Sequence, residues 1–460
     1  MALPALPLAW YGDDFTGSTD VLEVLGLAGL SPVLFLRAPD AAALARFPGS
    51  RAIGIAGDAR ARPPRWMDEH LGAAFGSLAS LAPAIVHYKV CSTFDSSPHT
   101  GSIGRATEIG RAVFRPRGPV PMLVGAPALH RYCLFGNLFA TADGETYRLD
   151  RHPTMARHPV TPMAEADLRR HLASQTELRV ALFDVLKLWS DDSRTALRRL
   201  VADAPDVVLF DVADERSLQR CGELIWEDLR AGGFAVASSG LEYALVAHWR
   251  AAGLIDRSPP ATPAHPVDRL AAVSGSCAPA TAAQIDRAEQ LGWSCLAADP
   301  RRLADPAASP GECGRLLEAA DRALAAGRSI VIHTARGPDD PRIAAFYAWA
   351  RDRLRAQRDD ANAAIGKALG TLLRELIERH GLERVVVAGG DTSGAAGAAL
   401  GIDALTLLSP TSPGSPLCHA HAGPGRVDGI SIAFKGGQVG GPDYFEAVRC
   451  GSAGGTSMRF

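Results

Sequence analysis

Leu8-Ala9-Trp10-Tyr11-Gly12-Asp13-Asp14-Phe15-Thr16-Gly17-Ser18 sets the pattern on which the rest of the chain is read. An apolar run reads as a short strand, a glycine ends it, and two carboxylates stand where a helix begins near Ser18. Thr16 or Asp14 can cap that helix. The alternation returns along the whole chain. Strand candidates before residue 258 fall at 32–36, 52–56, 85–90, 122–124, 180–183, 207–210 and 234–237. Amphipathic helical stretches are expected at 164–175, 193–202 and 218–230. Later strands are expected at 270–273, 329–333, 385–388, 404–408 and 430–434, with helices at 280–291, 314–326 and 362–380. Apolar strands alternating with helices predict α/β domains built on largely parallel sheets.

The break between domains is the proline-rich stretch Ser258-Pro259-Pro260-Ala261-Thr262-Pro263-Ala264-His265-Pro266, which fits neither a helix nor a central strand. The predicted organisation is an N-terminal domain at 1–257, a linker at 258–267 and a C-terminal domain at 268–460. With 460 residues, each domain can bury a core of its own.

Composition excludes several classes. Hydrophobic residues make up 47% and charged residues 21%, which suits neither a disordered chain nor a membrane protein. Basic and acidic side chains number 48 and 50, so there is no basic field for nucleic acid. No apolar run is long enough to span a bilayer, and Met1–Trp10 lacks the features of a secretory signal. The eight cysteines form no C-x-x-C pair, so free thiols in a reducing cytoplasm are expected. Only four of the basic residues are lysines: Lys89, Lys187, Lys367 and Lys435.

In open α/β sheets ligands collect at the carboxyl ends of strands, so unusual residues there are candidates. The Asp13-Asp14 pair is one, since adjacent like charges repel unless a ligand or partner relieves them. A helix cap with a solvated neighbour is the plainer alternative. The loop Lys89-Val90-Cys91-Ser92-Thr93-Phe94-Asp95 is dense in hydroxyls beside a cation, which suits a polyhydroxylated anion. Arg131, just past another strand, can fork onto a carboxylate. His152-x5-His158 is too sparse to be read as a metal site. In the second half, Ser274-Gly275-Ser276, Gly389-Gly390-Asp391-Thr392 and Lys435-Gly436-Gly437-Gln438-Val439-Gly440 are small-residue turns. Such turns bare backbone N–H groups for phosphate. A G-x-x-x-x-G-K-[ST] loop, a G-x-G-x-x-G fingerprint and a G-x-S-x-G elbow are all missing.

Together these motifs, in this order and over nearly the whole chain, resemble the four-carbon acid sugar kinase family. The resemblance implies an acid-sugar-binding domain, a nucleotide-binding domain, a cleft between them, and ATP-dependent phosphorylation of a terminal hydroxyl. Asp13, Asp14, Lys89, Ser92, Thr93, Asp95 and Arg131 would then face the acid sugar. Ser274, Gly275, Ser276, Gly389, Gly390, Asp391, Thr392, Lys435, Gly436, Gly437 and Gly440 would hold ATP, with Mg²⁺. Asp14 is the first choice for the base, Asp13 the second. Cys91, Phe94-Asp95 and Asp391 depart from the commoner family pattern. The Cys91-Ser92-Thr93-Phe94-Asp95-Ser96 loop and the segment with Arg151-His152-Pro153 and Arg157-His158-Pro159 look more like the branch acting on 3-oxo-tetronate or branched 3-oxo-isoapionate. Threonate or erythronate kinases are the alternative. A hydroxy-acid dehydrogenase using NAD(P) and a non-catalytic sugar-acid sensor are alternatives of another class. No nucleic acid or membrane partner is expected, and a homodimer is left open.

Overall fold

The computed structural model describes residues 2–142, 144–157, 160–256, 262–353 and 358–451, without the side chains of 352, 353, 358–360 and 391. The linker residues 258–261, His158-Pro159, the glycine-rich tail beyond 451 and the Asp391 side chain lie outside the described residues. The chain divides into two compact units, Met1–Pro32 with Ala38–Pro259, and Val33–Arg37 with Pro260–Phe460.

In the first unit the strands lie parallel in the order Ala52–Ala56, Leu8–Gly12, Ile85–Lys89, Phe234–Ala237, Val120–Leu123, Val207–Phe210, Val180–Phe183. Helices such as Phe15–Leu27, Pro64–Ala79 and Ile103–Phe114 connect them. The central strands are buried along their length because helices cover both faces, which is why they read as continuous apolar runs. Tyr11 stacks on Tyr88 with centroids 6.1 Å apart, and Phe75 of Pro64–Ala79 meets both rings edge-on.

A second, antiparallel sheet of Arg131–Leu134, Asn137–Ala142 and Glu145–Arg148 belongs to the same unit. Sequence periodicity marks no strand here, because these strands are short and only partly buried. Its tight turn carries Phe135 and Gly136 at positive φ. The buried Asp211 carboxylate pins that turn, accepting from the backbone N–H of Phe135 (2.6 Å), Gly136 (2.9 Å) and Val185 (3.1 Å).

In the second unit Ser294–Ala297, Ile330–His333, Ala271–Ser274, Arg384–Ala388 and Ser431–Lys435 lie parallel in that order. Ser415–Ala422 and Ile402–Ser412 then continue antiparallel. The reading at 404–408 caught only part of a long strand and missed its return. Pro416 and the small and histidine residues after it give Ser415–Ala422 little apolar alternation. Val33–Arg37 departs from chain order, because Pro32–Phe35 pairs antiparallel with Ile402–Ser412.

Candidate functional site

Each unit gathers its candidate residues at the carboxyl ends of its central parallel strands. In the first unit these are Leu8–Gly12, Ala52–Ala56 and Ile85–Lys89. The main chain ties them together: Asp13 N–H donates to Lys89 O (2.8 Å), and Arg60 N–H donates to Asp13 O (2.9 Å).

The two neighbouring carboxylates are held differently. Asp14 is the N-cap of Phe15–Leu27, its Oδ1 accepting from Gly17 N–H (3.0 Å). Its Oδ2 accepts from the Thr16 hydroxyl (2.7 Å) and from Arg60 Nη2 (2.5 Å). Burial opposes its charge, but Arg60, Lys89 and these hydrogen bonds hold its carboxyl below the ordinary range. Asp13 is almost fully buried and, among the described residues, its Oδ1 has no hydrogen-bond partner. Burial pushes its carboxyl up to about 7; Arg60 and Lys89 counter this only in part, and Asp14 and Asp95 add to it. One adjacent pair therefore holds an ionised cap and a carboxyl poised near neutrality.

Lys89 is buried, donating to Val90 O at 2.9 Å. A Cβ built on Gly17 would stand 2.8 Å from Lys89 Nζ and 2.5 Å from Asp14 Oδ1. A side chain at position 17 would therefore displace the ammonium or the capping carboxylate from where they now stand. In the following loop Thr93 Oγ1 donates to Asp95 Oδ1 (2.6 Å) and lies 2.9 Å from Cys91 Sγ. Burial, and then Asp95, push the Cys91 thiol up to about 11, so it is a neutral group. Phe94, fully buried, holds φ at 58°, an uncommon conformation for a large side chain. Ser92 is half-buried in the same loop. Arg131 donates through Nη1 to Leu129 O (3.0 Å) and His130 O (3.1 Å), while its Nε is buried without a partner among the described residues. Burial lowers its pKa, and Cys91, Asp95 and Tyr132 are the nearby groups that oppose the shift. The structure therefore brings Asp13, Asp14, Lys89, Thr93, Asp95 and Arg131 into one neighbourhood.

Arg60 joins them, and sequence reasoning missed it. It pairs with Asp14 and stands 4.0 Å from Asp95. Nothing in Gly57-Asp58-Ala59-Arg60-Ala61-Arg62 marks one arginine among the chain's 44.

In the second unit His333, Ser274, Ala388 and Lys435 stand in register across four neighbouring parallel strands. Three glycine loops leave from this row. Gly275 N–H donates to Ala388 O (3.0 Å) and Gly389 N–H to Lys435 O (2.8 Å). A Cβ on Gly275 would fall 2.1 Å from Thr392 Oγ1, so the first two loops touch only because position 275 is glycine. The third loop is anchored by Thr281 Oγ1 donating to Gly437 O (2.7 Å) and Gln284 Nε2 donating to Gly440 O (2.9 Å). Gly436 lies within it. Ser276 Oγ accepts from Ala278 N–H at 3.2 Å.

The helices that follow, Pro279–Gln290 and Gly390–Leu400, start on Ala278 and Gly389, with no side-chain hydrogen bond from either cap. Neither cap side chain takes up their first-turn N–H groups, unlike Asp14 in Phe15–Leu27, and Pro279 contributes none; such N–H groups can receive an anion. Lys435 is fully buried, donating to Thr281 Oγ1 (2.9 Å) and lying 5.7 Å from the centre of the Tyr444 ring. Burial pushes its ammonium down to about 7. His333, also missed from the sequence, is buried with its Nδ1 unpartnered among the described residues, and burial holds its imidazole down at about 4. A buried cation beside uncapped helix starts can bind phosphate.

Two family models match the chain, a sugar-binding N-terminal domain over residues 8–245 and a nucleotide-binding C-terminal domain over residues 271–445. A 3-oxo-isoapionate kinase of Paraburkholderia graminis is 50% identical over 456 residues, covering 99% of this chain and 97% of that protein. A 3-oxo-tetronate kinase of Methylobacterium radiotolerans is 30% identical over 447 residues, covering 96% of this chain and 98% of its own. One of Cupriavidus necator is 30% identical over 453 residues, covering 96% of each chain. Among solved structures, a Salmonella typhimurium LT2 protein provisionally named as a tRNA synthase shares the fold. Its TM-score is 0.75 at 24% identity, over 96% of this chain and 98% of that one.

Proposed function

Because the chain belongs to the four-carbon acid sugar kinase family, we propose that it transfers a phosphoryl group from ATP to a hydroxyl of a 3-oxo acid sugar, with a branched 3-oxo-isoapionate-type acid as acceptor. The observation that carries the choice of acceptor is the 50% identity to a 3-oxo-isoapionate kinase across 99% of the chain, against 30% for the 3-oxo-tetronate kinases.

The two clusters support this chemistry in complementary ways. The first unit offers three cations, Arg60, Lys89 and Arg131, around hydroxyls of the 91–95 loop, which suits a small carboxylate bearing hydroxyls. Asp13 is proposed to take the proton of the attacking hydroxyl at Oδ1, the atom left without a partner. A carboxyl near 7 is matched to that task, because a general base works best with a pKa close to the working pH. Asp14, the first choice from sequence, has both oxygens engaged as a helix cap and ion-pair partner, and is proposed to orient the site.

In the second unit the uncapped N–H groups and Lys435 are proposed to hold the nucleotide phosphates and spread the charge that builds on the transferring group. ATP supplies the phosphoryl group. Mg²⁺ is proposed as the counter-ion of the phosphates, held chiefly by their oxygens and water. Among the described residues no group of three or more His, Cys, Asp or Glu is placed to hold a metal.

The test is ADP release measured across 3-oxo-isoapionate, 3-oxo-tetronates, threonate and erythronate. The highest kcat/KM is expected on the branched acid. Highest kcat/KM on a 3-oxo-tetronate would replace the acceptor, and no ADP release on any of them would overturn the reading.

A further inference from the structure

We propose that Arg60 is the positioning residue that assigns the adjacent carboxylates Asp13 and Asp14 to different roles, by binding the side chain of one and only the backbone of the other. The inference rests on Asp13 being the proton acceptor.

The geometry is asymmetric. Arg60 follows the strand Ala52–Ala56 and lies in a 3₁₀ turn, Ala59–Ala61. Its N–H is hydrogen-bonded to Asp13 O, so its backbone is locked to the peptide unit that joins the two acids. From there the guanidinium reaches Asp14 Oδ2 through Nη2 at 2.5 Å and comes within 4.0 Å of Asp95 through Nη1. Among the described residues Asp13 Oδ1 receives no hydrogen bond. The fork of an arginine directs its hydrogen bonds, and here Nη2 is directed onto Asp14 and not onto Asp13.

Two carboxylates side by side in a buried site cannot both ionise without a cation to offset them. Arg60 satisfies Asp14 by contact and reaches Asp13 only through space. The charged and titratable groups facing Asp13 are Arg60, Asp14, Lys89 and Asp95, with the phenols of Tyr11 and Tyr88 beside it. Of these, Arg60 is the largest influence favouring the Asp13 carboxylate, and Asp14 the largest opposing charge.

Removing Arg60 and removing the Asp14 charge therefore act in opposite directions on one readout, the acid limb of the kcat–pH profile. Arg60→Gln takes away the main stabiliser of the Asp13 carboxylate, and the limb should move up by about one unit or more. Its kcat would fall about tenfold at neutral pH and recover in alkali, while KM for ATP stays unchanged. Asp14→Asn removes the like charge and frees the guanidinium to turn toward Asp13, so the limb should move down. Arg60→Lys, which keeps the charge but loses the fork, should shift the limb less than Arg60→Gln.

The experiment is the pH dependence of kcat and of both KM values, from pH 5.5 to 9.5, for these variants and for Asp13→Asn. A fall in kcat that is uniform across pH in Arg60→Gln, or a limb that stays put or moves up in Asp14→Asn, would overturn the proposal. If one of these two variants fails to fold, the direction of the limb in the other decides. Wild-type-like kcat in Asp13→Asn would instead defeat the assignment of the base on which the inference rests.

Discussion

Lys435 Nζ donates to Thr281 Oγ1 at 2.9 Å, and among the described residues no carboxylate forms an ion pair with this fully buried side chain. A hydroxyl, a backbone carbonyl and a ring face are its surroundings. An ammonium buried among neutral groups loses its hydration without an opposing charge, which accounts for a pKa near 7.

The first prediction follows from that environment. At pH 8 much of Lys435 is the free amine, and a bound phosphate would raise its pKa and draw a proton in. Calorimetric titration with ADP, in buffers of different ionisation enthalpy, should show uptake of a sizeable fraction of a proton. Uptake should vanish in Lys435→Met, with affinity lower by about tenfold to a hundredfold, the loss of a hydrogen bond to a charged group. Zero uptake in the wild type would contradict it.

The unpartnered Oδ1 of Asp13 leads to the second prediction. Asp13→Asn should lower kcat by about 10² to 10⁴, the usual contribution of a positioned general base, with ADP affinity unchanged. In the wild type, kcat should fall as pH drops through about 7, because protonation removes the base. A profile flat from pH 6 to 8 would argue against this assignment.

Gly17 gives a prediction whose sign runs against local propensity. Alanine is favoured over glycine inside a helix by about 1 kcal/mol. Here, however, its methyl would meet Lys89 Nζ and Asp14 Oδ1 at 2.8 and 2.5 Å. Gly17→Ala should therefore depress kcat strongly while Tm changes little, and Lys89→Arg should fail for the same lack of room. Near-normal kinetics in both variants would show that the ammonium need not sit there.

Asp211 is predicted to act at a distance. Its carboxylate accepts three backbone N–H groups at the turn of the antiparallel sheet whose first strand begins with Arg131. Asp211→Ala would leave buried donors without acceptors, each costing about 1–3 kcal/mol. A clear loss of Tm is expected, with a raised KM for the acid sugar and an unaltered KM for ATP. An unchanged acid-sugar KM in the folded variant would separate the turn from substrate binding.

Much of this molecule was legible in the linear chain. The central parallel strands are buried along their length, so their apolar runs mark them within a residue or two, whereas the edge strand Ser294–Ala297, only partly buried, escapes that reading. The motif residues at strand ends were legible because backbone geometry demands particular side chains there: a glycine where Gly275 touches Thr392, an acidic cap at Asp14. The antiparallel elements at 131–148 and 415–422 were not, since half-exposed or proline-bearing strands carry weak periodicity.

What the sequence determined by itself was the α/β class, the order of the binding motifs, and the kinase family they match. Tertiary structure decided which of two adjacent aspartates is engaged and which is left without a partner. Beside the local cap contacts of Thr16 and Gly17, Asp14 is engaged by Arg60, 46 residues away and indistinguishable in composition from the other arginines. The physical reason is that burial and ion pairing are set by neighbours in space. A carboxylate's chemistry depends on how much water it loses and which cation replaces it, and neither quantity is written in the local sequence.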